Sequence, residues 1–345
     1  MSTPADRLWT RVKEWWSSKS EPLVDAFFAD GGAPVRPYRG YLRLWLSEMS
    51  LAQDRRSATD RYPALQASVR LSFAGSPGTV LPTVIRPPQG QEGPGIRRDI
   101  PLTALLPYAG GTVDLQVALL DVAGNDDLAM ALDIVGEFSS LLTPPLSTVA
   151  AVAGKVANGI NRIDERMEAG GQRPVLALQR SLTADAQGLQ PGHLVGALAT
   201  TGELPAGSFT VSHGRLVDTG SGEPIAGLDH LVLRLEVMPE RDDWRFPEWD
   251  VLIGQAQEAQ LLGQADRFQQ IRADVLTRVV LSADLTPDDR RRVARLIRDE
   301  LDSFSLGAAG EERTVTVGGL VETHGLPDAM TVRDLDMAAL LIHAE

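Results

Sequence analysis

Hydrophobic positions change their period several times along this chain. Near the start they recur at helical spacing: Leu8, Val12, Trp15 and Trp16 share one side with Trp9 beside them, and Arg7, Arg11, Lys13 and Lys19 lie among polar positions. Ser20-Glu21-Pro22 then has the form of a cap and first turn, which predicts a second short helix ending at Gly31-Gly32. From Tyr38 the spacing shortens. Residues 41–46 are dense in aromatic and aliphatic side chains and fit either period. They are read as a strand because Ala67, Val69, Leu71 and Phe73 soon alternate with Ser68, Arg70 and Ser72. Further strands are expected over 79–86, 97–106 and 112–122. In the last, Val113, Leu115, Val117 and Leu119 face inward and Asp114 and Gln116 outward. Prolines at 82, 87, 88, 101 and 107 confine several of these strands to edges or ends.

Between Glu137 and Lys155 there is no charge, and Pro144-Pro145 splits the stretch. A membrane-crossing helix needs about 20 apolar residues without such a break, so the pattern predicts a buried helical hairpin instead. Its first arm, roughly 126–142, follows Asn125 as a cap. Its second, 146–163, carries Ala150, Ala151, Ala153, Gly154, Ala157 and Gly159, small enough for close packing.

A charged, glycine-bearing linker over 164–174 leads to a second strand group at 175–182, 193–199, 208–217 and 230–237, the third turning at His213-Gly214. From Trp249 the period is helical again, in one long helix or two meeting near Gly263. Thr286, Pro287, Asp288 and Asp289 then mark a helix start: an N-cap, a proline at the first position, and acids at the positive dipole end. Val293, Leu296, Ile297, Leu301 and Phe304 are its expected buried stripe. Arg295 and Arg298 lie in i,i+4 reach of Asp299 and Asp302. The glycine-rich tail holds one further candidate hairpin, turning on Gly318-Gly319.

Strands at this spacing, with helices segregated from them, predict an α+β protein. Its antiparallel β-sandwich-like body is interrupted by an α-helical hairpin and followed by a C-terminal helical subdomain; the strand pattern fits both one sandwich with the hairpin inserted and two separate β units. The expected parts are an N-terminal helical segment (1–35), the β-rich body (36–240, hairpin at about 125–163), the helical subdomain (241–306) and a tail (307–345).

Composition narrows the function. The apolar fraction of 43% supports a sizeable core in 345 residues. A net charge of −13 disfavours nucleic acid as a partner, because neutralising phosphates needs the opposite balance. The absence of cysteine excludes disulfides, thiolate metal sites and cysteine nucleophiles. Basic charge is almost all arginine, as expected of a GC-rich bacterial genome. With no apolar run suited to a signal peptide or a bilayer crossing, a soluble, cytoplasmic protein is expected.

Few residues suggest chemistry. Leu216-Val217-Asp218-Thr219-Gly220-Ser221 resembles the active-site loop of the retropepsin and pepsin family of aspartic proteases. That resemblance covers six residues in one copy, so it implies a homodimer with Asp218 as the acid–base residue. The same residues also suit an ordinary polar turn, extended by Gly222-Glu223-Pro224. Two acidic groups, Asp121, Asp126 and Asp127, and Asp242, Asp243, Glu248 and Asp250, offer oxygen ligands without EF-hand spacing, and read as solvated loops or caps. The histidines at 193, 213, 230, 324 and 343 lack metal-ligand spacing.

No catalytic, metal or cofactor residues are therefore assigned, and no cofactor is expected. The leading expectation is a non-catalytic interaction or assembly module, binding other proteins or forming a homo-oligomer. Trp9, Trp15 and Trp16 are its candidate contact residues, for a partner or, less favoured, a membrane. The alternatives are a membrane-active effector released by a trigger and, more remotely, the homodimeric protease.

Overall fold

The alternation is realised as twelve strands among the residues that the structure, a computed structural model, describes: 23–52, 61–73, 76–85, 95–123 and 172–307. These are β1 (Leu23–Ala29), β2 (Tyr41–Ser50), β3 (Arg61–Phe73), β4 (Ser76–Ile85), β5 (Gly95–Pro101), β6 (Leu106–Pro107), β7 (Thr112–Ala123), β8 (Gln172–Thr183), β9 (Gly192–Leu198), β10 (Phe209–Ser212), β11 (Arg215–Asp218) and β12 (His230–Met238). Three helices follow: α1 (Pro247–Leu261), α2 (Ala265–Leu281) and α3 (Pro287–Gly307). The protein is a mixed α+β chain with antiparallel sheets. No helix among the described residues is long and apolar enough to cross a membrane. The expected helical hairpin at about 125–163, the tryptophans at 9, 15 and 16, and the tail hairpin lie outside the described residues.

The chain divides into two units, Met1–Asp250 with Thr277–Ala294, and Val251–Leu276 with Arg295–Glu345. In the first, one sheet runs β1-β9-β12-β2-β5, with β6 also on β2. A second runs β4-β3-β7-β8, and β10-β11 form a separate hairpin. One apolar cluster draws on both larger sheets: Leu42, Leu44 and Leu46 of β2 and Leu231, Leu233 and Leu235 of β12 meet Leu65 and Val69 of β3, Val113, Leu115 and Val117 of β7, and Leu176 and Leu178 of β8. The opposite face of the six-stranded sheet carries a second cluster, in which Val195, Ala197 and Val232 pack with Phe209 and Leu216 of the β10–β11 hairpin.

Gly196 of β9 packs closely against the four-stranded sheet. A Cβ there would sit 3.2 Å from Leu178 Cδ2 and 3.5 Å from Leu176 Cδ2. Gly196→Val is expected to destabilise the fold by about 1–3 kcal/mol through overpacking, read as a lower urea midpoint. An unchanged midpoint would contradict that spacing.

The short helix expected to end at Gly31-Gly32 is not formed. Leu23–Ala29 is a strand, paired antiparallel with β9 along its whole length. Leu23 and Phe27 pack on the cluster shared by the sheets, while Val24, Ala26 and Phe28 pack on the other. Both sides of this strand find apolar cover, so an almost continuous apolar run suits it. The strand expected over 97–106 is also broken: after Pro101 the amides of Leu102 and Thr103 both turn to Leu44 O, at 2.8 and 3.3 Å, before β6 resumes pairing.

The hairpin turn expected at His213-Gly214 is present. Both residues have positive φ, 50° and 72°, as the two-residue turn that matches strand twist requires. The expected start of α3 is present too, with Asp289 N donating to Thr286 Oγ1 at 3.3 Å. The long helical pattern resolves into α1 and α2 on either side of Gly263. In the second unit, Ile253, Ala256, Ala259, Phe268, Val275, Ile297 and Leu301 are buried. Leu296 and Phe304, expected in the α3 stripe, are instead 39% and 42% exposed. Asp302 meets Arg272 of α2 at 2.6 Å.

Candidate functional site

The outer face of the six-stranded sheet is apolar at one end and polar at the other. Side chains of β2 alternate, so Leu42, Leu44 and Leu46 enter the core while Arg43 and Trp45 point away from it. On β12, Arg234 stands directly opposite Trp45 and Glu236 opposite Arg43. Trp45 Nε1 donates diagonally to Glu236 Oε2 at 2.8 Å, which fixes the indole. Around it the Arg43 and Arg234 guanidinium carbons lie 5.2 and 5.0 Å from the ring centroid, within cation–π range. All four side chains are half-buried.

The Nε atoms of Arg43 and Arg234 are buried and have no hydrogen-bond partner among the described residues. Two neighbouring arginines thus flank one aromatic ring. Arg234 also faces His193 of β9. Burial and the Arg234 charge pull the His193 imidazole below its ordinary range, against the opposing pull of Asp30 and Asp99. His193 is therefore a neutral neighbour at pH 7, and the positive charge here belongs to the two arginines.

A buried ionic cluster lies further along the same two strands. The β2 register shifts between Leu46 and Glu48, leaving Ser47 as an extra residue. Without that bulge, alternation would drive Glu48 into the leucine core. With it, Glu48 turns to the outer face, where Oε2 accepts from Leu216 N at 2.8 Å and lies 3.3 Å from His230 Nε2. Arg215 Nε reaches Oε1 at 3.4 Å. His230 Nδ1 is 3.1 Å from Leu228 O. Burial pushes the Glu48 carboxyl up, but the bonds from His230, Leu216 and Arg215 outweigh it and hold it below the usual range. This cluster ties the β10–β11 hairpin to the sheet.

Within the first unit, Asp289 at the start of α3 forms a second buried knot. It accepts from Tyr41 Oη at 2.6 Å, Arg241 N at 2.9 Å and Arg292 Nε at 2.6 Å. Thr286 N in turn donates to Tyr41 Oη. Burial, helped by Asp289, raises the Tyr41 phenol far above its ordinary value. Arg241 is fully buried over Phe246 at 4.7 Å and donates to Asp243 and to Asp284 O. All the polar groups of the knot are engaged with one another, which suits anchoring.

The Asp218 loop is an exposed turn after β11. Asp218 Oδ1 accepts from Gly220 N, Ser221 N and Ser221 Oγ, at 3.0, 2.8 and 2.9 Å. Those bonds hold its carboxyl below the usual range, so it stays ionised. In the second acidic group, Asp243 pairs with Arg241 and Asp250 with Arg245, each at 2.6 Å. Asp121, Asp126, Asp127, His324 and His343 lie where no side chain is described. Among the described residues no group of three or more His, Asp or Glu side chains is placed to hold a metal ion.

The Arg43–Trp45–Arg234 arrangement escaped the sequence reading. Arg43-x-Trp45 and Arg234-x-Glu236 do carry the period-2 mark of an outward face, but only strand pairing reveals that the two faces adjoin. Chemically the site offers guanidinium donors beside a flat ring, with no nucleophile or exposed general base in the group. No family model matches the chain, and no curated protein matches it.

Proposed function

We propose that this protein is a non-catalytic interaction or assembly module, an adaptor or structural subunit of a larger bacterial, cytoplasmic complex, acting as a homo-oligomer or with a different protein partner. The observation that carries the reading is the Arg43–Trp45–Arg234 platform. Tryptophan and arginine are the residue types that concentrate binding energy at protein interfaces. Here they adjoin on one sheet face, with the ring fixed by Glu236 and both guanidiniums stacked near it. A pre-fixed indole loses little entropy when a partner lands on it.

The same reading organises the chain. The two larger sheets act as a sandwich over their shared cluster, interrupted after β7 by a helical hairpin at about 125–163. The helices act as a C-terminal subdomain over 241–306, β1 belongs with the sheets, and 1–22 and 307–345 are flanking parts. Trp9, Trp15 and Trp16 of the first part serve as a second contact surface.

Light scattering on the purified chain, and on complexes pulled from its own host, tests the proposal. A defined oligomer or complex is expected, and Trp45→Ala should dissociate it at temperatures where circular dichroism shows the variant still folded. A strict monomer without a partner under both conditions sinks the reading.

A further inference from the structure

We infer that β1 is a self-pairing edge, through which two copies of this chain join antiparallel along Leu23–Ala29 with the two-fold axis at Ala26; this rests on the interaction reading above and gives its homo-oligomeric form. β1 ends the six-stranded sheet, and among the described residues no strand pairs with its other side. Such an edge offers a row of N–H and C=O groups to another strand, and proteins commonly blunt it with proline, charge or a bulge. The other ends of the two larger sheets are blunted in that way: β4 carries Pro82, β5 carries Arg97 and Arg98, and β8 carries Pro174. β1 has neither a proline nor a bulge, and its single charge, Asp25, is met by Arg180 of β8 at 3.0 Å. Leu23 and Phe27 on one side, and Val24, Ala26 and Phe28 on the other, are only partly buried, so both apolar clusters reach this edge.

The ladder to β9 decides which backbone groups point outward. Asp30 N donates to Pro191 O at 3.3 Å, whereas Leu198, opposite Leu23, donates away from β1 to Asp229 O at 2.8 Å. Bonded and non-bonded pairs alternate along an antiparallel ladder. Val24, Ala26 and Phe28 therefore turn their backbone groups to β9, and Leu23, Asp25, Phe27 and Ala29 turn theirs outward. That outward set is symmetric about Ala26, which selects a second copy as the occupant. In an isologous contact one patch meets itself. With the axis at Ala26, Asp25 faces Phe27 of the second copy and Leu23 faces its Ala29, each pair bonded on both sides. Ala26 meets its own counterpart in a non-bonded pair, where side chains come closest and a methyl group fits. An axis at Asp25 would set like charges directly opposite, which is destabilising. Axes nearer either end pair only part of the strand.

The test uses the full chain, which has no cysteine, so Ala26→Cys places its only thiol at the axis. With oxidised glutathione as the two-electron oxidant, two Ala26→Cys chains should join through a disulfide, because facing Cβ atoms on paired strands lie about 4.5–5.5 Å apart. Ala29 is the more exposed residue, but two Ala29→Cys thiols would sit about 20 Å apart along the paired strands, so that variant should not cross-link. Light scattering on the unmutated chain should show a dimer or a multiple of it. Asp25→Pro deletes an outward N–H while sparing the bonds to β9, and should raise the dimer dissociation constant about tenfold or more with circular dichroism unchanged. Hydrogen exchange needs no variant: the Asp25 and Phe27 amides should be protected in concentrated protein and lose that protection on dilution. A monomer at every concentration, equal cross-linking of Ala26→Cys and Ala29→Cys, or unprotected Asp25 and Phe27 amides in the assembly would each overturn the inference. If Trp45→Ala dissociates the native assembly while Ala26→Cys fails to cross-link, edge pairing is wrong and the interaction reading survives. If the chain is a monomer that also lacks a partner, both fall.

Discussion

Replacing Glu48 with alanine is expected to cost about 3–5 kcal/mol of folding stability, the range for removing one partner of a buried ion pair. The carboxylate is 4% exposed and accepts from Leu216 N in the β10–β11 hairpin and from His230 in β12. Its loss leaves those N–H groups buried without an acceptor, alongside a cavity. Glu48→Gln keeps the shape and one acceptor oxygen, so it should cost less. Urea unfolding monitored by circular dichroism separates the two variants, and equal midpoints for Glu48→Ala and the wild type would refute the cluster as an anchor.

The same carboxylate fixes a pH dependence. The folded-state pKa of Glu48 lies below its ordinary value of 4.5, so the native state prefers the ionised form more strongly than the unfolded chain does. A depressed carboxyl contributes its full stability above the unfolded pKa and loses it as pH falls through the folded one. The stability gap between wild type and Glu48→Gln should therefore be flat around neutrality and narrow as pH drops below about 4.5. Comparison with the isosteric variant cancels the titration of the many other acids. A gap that stays constant down to strongly acid pH would exclude the bonded carboxylate. In native-state hydrogen exchange, the β10–β11 amides should lose protection before those of β3 and β7, because Leu216 N is bound to this group.

Removing Asp289 is expected to have an effect of similar size by a different route. Its carboxylate, 2% exposed, collects a phenol, a backbone amide and a guanidinium, which together fix the start of β2, the segment after β12 and the start of α3. Asp289→Ala leaves Tyr41 Oη and Arg241 N buried without acceptors and costs about 3–5 kcal/mol. Asp289→Asn retains one acceptor oxygen and should cost about 1–3 kcal/mol, the penalty of imperfectly satisfied buried donors. Tyr41→Phe provides the cross-check: combined with Asp289→Ala it should be markedly less than additive, because the two groups share one bond. Strict additivity would indicate that the bond does not contribute to stability. Thermal unfolding of the four proteins completes the cycle.

The chain states its strands and helices through local preferences. Val113, Leu115, Val117 and Leu119 are buried in β7 as their alternation requires, and Thr286-Pro287 begins α3 because the cap and the fixed proline φ act within one turn. His213-Gly214 turns a hairpin for the same kind of reason, since its backbone geometry is settled by two residues. These were legible because each depends on neighbours in sequence. Residues 23–29 were misread as helical because their apolar run is ambiguous until β9 supplies the backbone partners.

The candidate site depends on longer-range decisions. Arg43, Trp45, Arg234 and Glu236 come from strands nearly two hundred residues apart, and only the β2–β12 register makes them neighbours. Glu48 reaches the outer face through a bulge at Ser47 that no composition or spacing announces, because it is set by how β12 and β5 pair with β2. Periodicity follows from the geometry of a single segment, whereas a site needs side chains from several segments brought within a few ångströms. That proximity is decided by pairing register and by which face each sheet buries.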